Sequence, residues 1–227
     1  MNDLLGIERL QEVIGYKFKD EKYLKVALSH SSYANETKLN KTDNYERQEF
    51  LGDAVLELSV SQHLFNEYPN MLEGEMTKLR ASLVCEPTLA YIARTELNLQ
   101  EYILLGKGED NTGGRDRDSI ISDVFEAVIG AIYLDGGFEP ALYFIEKYVL
   151  TDMNQKIEFV DSKTRLQEKV QANSQSVEYR LVSEDGPAHN RIYTSEVLIN
   201  GEVCGSGSGK TKKSAEQHAA YAALQKM

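Results

Sequence analysis

The sequence predicts two folds in series, an all-α domain followed by a small α+β domain with the order α-β-β-β-α. Three observations carry this expectation. Apolar residues recur at helical spacing through the first 150 positions, and nothing there alternates as a strand does. Alternation begins near Val177 and is joined to a two-residue hairpin signal at Asn200-Gly201. Charge divides as well: residues 1–160 hold 16 Lys and Arg against 28 Asp and Glu, a net of −12, whereas residues 161–227 hold 9 against 8, a net of +1.

Leu4, Ile7, Leu10 and Ile14 mark the first helix, and the same spacing runs through Tyr23 to Leu28 and Leu79 to Ile92. Longer helices are expected from Tyr45 to Phe65 and from Ser119 to Leu134. Gly106 to Arg117, GKGEDNTGGRDR, reads as a flexible polar loop. Mixed charge and weak periodicity make residues 153–160 a linker between domains at 1–152 and 161–227. In the second domain a helix fits Thr164 to Ala172, and strands fit Val177 to Val182, Ile192 to Ile199 and Glu202 to Ser206. Thr211 to Lys226 closes the chain as an Ala-rich helix.

A hydrophobic content of 41% with 27% charged residues excludes a disordered chain. No apolar run approaches the roughly 20 residues that cross a bilayer. The start MNDLLGIERLQE has no basic segment followed by an apolar one, so a cytoplasmic protein with no membrane partner is expected. Cys85 and Cys204 lack metal-ligand spacing and read as reduced, half-buried thiols.

The acids are more specific. Glu46, Glu49, Asp53 and Glu57 stand at offsets of 0, 3, 7 and 11. At about 100° per residue they share an arc of roughly 80°, one stripe of an otherwise largely apolar helix. Asp123 and Glu126 repeat the spacing in SIISDVFEAVIGAIYLD, where they are the only charged residues between Asp118 and Asp135. Like charges so close repel, and burying them is costly unless protons or cations neutralise them. Two such stripes converging on a divalent ion, Mg²⁺ by the hardness of carboxylate oxygen, account for the pattern. Spacing alone leaves equally open that the acids form salt bridges with Arg47, Lys78 or Arg80, and Glu57 reads as a rim or ion-pair residue.

The string ERQEFLGDAVL at 46–56 resembles the signature of the ribonuclease III enzymes, commonly ERLEFLGDAVL, with Gln48 in an apolar position as its one departure. LSHSSYANE at 28–36, EGEMTKLRASLV at 73–84 and the stretch 105–137 resemble the same family. The resemblance implies that Glu49, Asp53, Asp123 and Glu126 bind catalytic Mg²⁺, with Mn²⁺ able to substitute, and that Asp53 and Glu126 matter most to chemistry. It gives Glu46 a role at the rim and dimer junction and Glu73 one at the cleft or a second metal; read alone, Glu73 is a helix N-terminal acid favouring the dipole. It further implies a homodimer packed through Phe50. The implied reaction is hydrolysis of double-stranded RNA to 5′-phosphate ends with short 3′ overhangs, in processing of ribosomal RNA precursors and some messenger and transfer RNA precursors. His30, beside three serines, reads as a helix cap rather than part of a nucleophile.

Residues 161–227 resemble a double-stranded RNA-binding domain through TRLQEKVQ, GPAHN and GSGSGKTKKSAEQHAA. Such domains read A-form shape across two minor grooves and the phosphates between them. Thr164, Gln167, Glu168 and Gln171 share one helical face for 2′-hydroxyl contact, and His189 follows a Gly186-Pro187 turn aimed at the next groove. Lys210, Lys212 and Lys213 open the last helix, where charge and dipole together attract phosphate. Thr211 and Asn190 depart from the usual serine and basic residue.

Two rivals are weighed. A non-catalytic double-stranded RNA-binding protein of the same fold would have lost acids at the metal positions, yet all four are present. A metal-dependent phosphohydrolase of small nucleotides would not need the second domain.

Overall fold

The computed structural model describes residues 2–186, 191–209 and 211–227, with residues 2–5 described through their backbone. It divides into two compact units, 1–153 and 154–227.

The first unit is helical. It contains α1 (Asn2–Ile14), α2 (Glu21–Ala27), α3 (Ser31–Glu36), α4 (Glu46–Glu67), α5 (Glu73–Val84), α6 (Glu86–Thr95), α7 (Lys107–Asn111), α8 (Asp118–Gly136) and α9 (Phe138–Ile145), the last running into a π-helical turn at 146–150. Helix α8 is the axis, with α2, α4, α6 and α9 packed around it. The sequence explains why: Ile121, Val124, Phe125, Ala127, Val128, Ile129, Ala131 and Ile132 are all fully buried, so apolar side chains point in nearly every direction. Each large one contributes roughly 1.5–3 kcal/mol over remaining exposed. The C-terminal end of α8 is tied to the α1–α2 connection, where the Asp135 carboxylate accepts from the Tyr16 hydroxyl at 2.6 Å and from the Lys19 and Asp20 amides at 2.9 Å.

Two expectations for this unit need correction. The periodicity from Leu79 to Ile92 belongs to two helices, separated at Cys85, whose φ of −72° and ψ of 151° are extended. Pro87 lies in the first turn of α6, where its missing N–H leaves no helical bond unmade. The polar stretch 106–117 is likewise folded, as α7 and a 3₁₀ turn at Gly114–Asp116. Its arginines hold it: Arg115 Nη1 donates to the carbonyls of Gln100 at 2.7 Å and Ile103 at 2.9 Å, and Arg117 pairs with Glu109 at 2.6 Å.

The second unit has the predicted order. Helix α11 (Ser162–Ala172) precedes an antiparallel sheet of β1 (Val177–Asp185), β2 (Ile192–Ile199) and β3 (Glu202–Gly209), followed by α12 (Lys212–Leu224). Asn200 and Gly201 both have positive φ, 52° and 85°, as a type I′ hairpin requires, and this sets Ile199 opposite Glu202. The core joins Leu166 and Val170 of α11, Val197 and Ile199 of β2, and Ala219, Ala220 and Ala223 of α12. Alternate glycines on β3 face that alanine side; a Cβ at Gly205 would lie 2.3 Å from the Ala219 carbonyl oxygen. Before α11 the segment read as a linker is helical, α10 (Met153–Val160). Its Phe159 ring meets His218 at 4.7 Å and Tyr221 at 5.6 Å, and the Phe159 carbonyl accepts from Gln217 Nε2 at 2.8 Å.

Candidate functional site

Helices α4 and α8 cross with their backbones in contact. A Cβ on Gly52 would lie 1.8 Å from the Glu126 carbonyl oxygen, and one on Gly130 2.2 Å from the Gln48 carbonyl oxygen. Any side chain at either place would force the helices apart. This close approach sets Glu49 and Asp53 on α4 against Asp123 and Glu126 on α8.

Carboxylate oxygens of Glu49, Asp123 and Glu126 all lie within 4.8 Å of one another, and all three residues are half-buried. Among the described residues none of the three pairs with Lys or Arg. Burial, then the charges of Asp53, Asp123, Glu49 and Glu57, push the Glu126 carboxyl up to about 8. Burial and the charges of Asp123, Glu46 and Asp53 raise Glu49. Asp123 is also raised by burial, against the opposing hydrogen bond from the Tyr45 hydroxyl. Three crowded acids whose carboxyls are all held above their ordinary values, chiefly by burial, fit a divalent metal bound through hard oxygen ligands.

The other acids lie at increasing remove. Asp53 is exposed and outside the trio, though close enough for its charge to raise both Glu126 and Glu49. Glu46 is exposed in the first turn of α4, where its charge raises Glu49. Glu57 pairs with Arg80 at 2.9 Å, so the salt-bridge reading applies to this acid. Glu73, exposed at the start of α5, accepts from Thr77 Oγ1 at 3.0 Å, and no described contact joins it to the trio. Phe50 is 80% exposed. His30 caps α3, its Nδ1 accepting from the Ser32 amide at 3.1 Å.

In the second unit Thr164, Gln167, Glu168 and Gln171 are all exposed on the side of α11 opposite Leu166 and Val170. Lys212 and Lys213 are exposed in the first turn of α12, whose N-cap Thr211 accepts from the Ser214 amide at 3.1 Å. Threonine therefore does here what the more usual serine would. Lys212 Nζ stands 5.9 Å from the centre of the Tyr193 ring. His189 and Lys210 lie outside the described residues.

Sequence reasoning missed three participants. Gly52 and Gly130 permit the crossing, and their signal was a glycine one turn before or after an acid on each stripe. Tyr45 donates its hydroxyl hydrogen to Asp123 Oδ2 at 3.3 Å, and no spacing pattern reveals a contact between residues 78 positions apart.

A helical module with a half-buried acidic centre, followed by a sheet-and-helix module with an exposed polar face, defines a two-part nucleic-acid enzyme. Residues 20–153 match the Ribonuclease-III-like family, and residues 162–227 match the double-stranded RNA binding motif. Ribonuclease 3 of Listeria welshimeri is 48% identical over 223 residues, 97% of each chain. Ribonuclease 3 of Bacillus cereus is 52% identical over 220 residues, 96% of this chain and 89% of that one. The solved nuclease domain of ribonuclease III from Campylobacter jejuni is 43% identical and superposes with a TM-score of 0.60, covering 65% of this chain and 99% of that domain. The chain belongs to the ribonuclease III family. It is an endoribonuclease of a metal-dependent family, with double-stranded RNA as its partner. Among the described residues no helix is long and apolar enough to cross a membrane.

Proposed function

We propose that the protein is a Mg²⁺-dependent endonuclease that cuts both strands of RNA duplexes, leaving 5′-phosphate ends and short 3′ overhangs. The observation that carries this reading is the trio Glu49, Asp123 and Glu126, gathered within 4.8 Å and, among the described residues, paired with no Lys or Arg. These three, with Asp53 beside them, would hold the metal, which supplies an activated water and stabilises the departing 3′ oxygen. The second unit contributes shape recognition through Thr164, Gln167, Glu168, Gln171 and His189, and phosphate attraction through Lys210, Lys212 and Lys213.

A homodimer belongs to the same reading. Phe50, Leu58 and Phe65 are 80%, 57% and 71% exposed on α4. With Ala54 they fall within about 80° of arc, a stripe that a two-fold partner would cover. The Campylobacter jejuni structure concerns a region involved in dimer formation of its nuclease domain. Cytoplasmic maturation of ribosomal RNA precursors, with some messenger and transfer RNA precursors, is the assigned setting.

Incubating the purified chain with a long RNA duplex, with and without Mg²⁺, tests the proposal. Staggered fragments bearing 5′ phosphates, absent in chelator, are expected. Equal cleavage in chelator would overturn the metal role, and mononucleotide hydrolysis without duplex cleavage would overturn the substrate.

A further inference from the structure

The segment Leu28 to Glu36 provides no acid to the trio, yet it packs against Tyr45, the residue before α4. The Tyr45 amide donates to the Ser29 carbonyl at 2.9 Å, and the His30 and Tyr45 rings lie 5.7 Å apart. That segment is itself fixed: the His30 amide donates to the Leu104 carbonyl at 3.0 Å, the Leu104 amide to the Leu28 carbonyl at 2.8 Å, and Ser32 Oγ accepts from the Gly106 amide at 2.9 Å. Tyr45 is only 5% exposed and immediately precedes α4, with its carbonyl accepting from the Glu49 amide at 2.9 Å. Its hydroxyl reaches across to Asp123 Oδ2 on α8 at 3.3 Å. One residue therefore bridges the two helices that carry the trio.

An aspartate among like charges turns away about its side-chain torsions unless something holds it. A phenol has one hydrogen to donate, and a carboxylate has about four lone-pair sites, so the bond occupies one site and leaves the rest for a cation. We propose that Tyr45 is a positioning residue of the metal centre: its hydroxyl keeps the Asp123 carboxylate turned toward Glu49 and Glu126, and Ser29 and His30 hold the Tyr45 backbone and ring in place. The proposal rests on the reading of the trio as divalent-cation ligands. Groups that orient metal ligands typically change metal affinity by 10–100-fold when removed.

Tyr45→Phe keeps the buried ring and deletes the donor. Mn²⁺ binding to the full chain without RNA, followed by the paramagnetic resonance signal of free Mn²⁺, is expected to weaken roughly tenfold. The Mg²⁺ concentration for half-maximal duplex cleavage should rise in parallel, the rate at saturating Mg²⁺ should recover to within a few fold, and duplex affinity in Ca²⁺ should not move. A merely structural role would lower the maximal rate or duplex affinity without this shift in metal dependence. Unchanged half-saturation by Mg²⁺, or a rate loss that excess Mg²⁺ does not restore, overturns the inference. Glu126→Gln separates the two levels: if it leaves Mn²⁺ binding and cleavage intact, the trio is not the metal site, whereas a loss there beside an unaffected Tyr45→Phe refutes the role of Tyr45 alone.

Discussion

Both units use glycine to bring two elements into backbone contact, with opposite electrostatic results. On β3, Gly205 and Gly207 admit the alanine face of α12, and the charges remain outside, where Arg180 meets Glu196 at 2.7 Å and Lys163 meets Glu216. In the crossing of α4 and α8, Gly52 and Gly130 bring half-buried acids together, and among the described residues none of the three pairs with Lys or Arg. The first contact is favourable by itself. The second raises the energy of its own ionised side chains, and a fold keeps such a conflict where an added cation relieves it. That tension is what the proposed metal site would relieve, and the described ion pairs of the second unit show the opposite arrangement, charge already matched by charge.

The largest effect should come from removing one acid of the trio. Glu126→Gln preserves shape while deleting a charge, so cleavage is expected to fall by about three orders of magnitude or more, since a bound metal supplies several kcal/mol of transition-state stabilisation. Duplex binding, followed by gel shift in Ca²⁺, should change little because the residues proposed to contact RNA lie in the other unit. Activity within about tenfold of the unaltered chain in saturating Mg²⁺ would dissolve the contrast between the units.

The reciprocal cut removes the binding surface. It should be made at residues 154–227, since Phe159 packs on His218 and Tyr221 and a cut at 161 would strip its cover. Duplex affinity should then drop by roughly 10²-fold near physiological salt and by less at low salt, because lost lysine–phosphate contacts are salt-dependent. Cleavage at low salt and high Mg²⁺ should persist. An unaltered affinity after the deletion refutes the role given to the second unit.

Much of this division was legible in the chain. The offsets of Glu46, Glu49, Asp53 and Glu57 placed the acids on one stripe because a regular helix fixes angle from spacing. Asn200-Gly201 announced a hairpin because few residue pairs accept positive φ twice. The sequence already offered Glu57 as an ion-pair residue with Arg80 among its candidate partners, and the 2.9 Å pair agrees, whereas spacing could not reveal that Tyr45 reaches Asp123. The loop at 106–117 misled for a related reason. Its arginines look solvated in sequence, and their partners, the carbonyls of Gln100 and Ile103, are backbone groups that no side-chain pattern records.

A smaller effect tests the tension by pH. A carboxyl held above its ordinary value stabilises the fold fully below that ordinary value and loses the contribution as pH rises through the folded one. For Glu126 the window runs from 4.5 to about 8, and Glu49 and Asp123 are raised in the same direction by burial. Mg²⁺ relieves the ionised form, so its shift of the melting temperature should be greater at pH 8.5 than at pH 5.5. Glu126→Gln should shrink that difference. An equal or larger Mg²⁺ shift at pH 5.5 would place the unfavourable charge elsewhere.

The smallest effect separates this functional conflict from an incidental one in the same crossing. Gln48, the departure from the family signature, is 6% exposed, and its Oε1 has no hydrogen-bond partner among the described residues. A buried acceptor left unsatisfied costs about 1–3 kcal/mol, and leucine of similar volume carries no such group. Gln48→Leu should therefore raise the melting temperature of the metal-free chain by several degrees, since about 1 kcal/mol corresponds to roughly 2–4 °C at this size. The gain should be the same at pH 5.5 and pH 8.5, because an amide does not titrate, and the Mg²⁺ dependence of cleavage should stay where it was. A gain that grows with pH would mean that Gln48 bears on the acids next to it. No gain, or a loss, would mean that its amide is satisfied in solution, and that the strain of the crossing lies wholly with Glu49, Asp123 and Glu126.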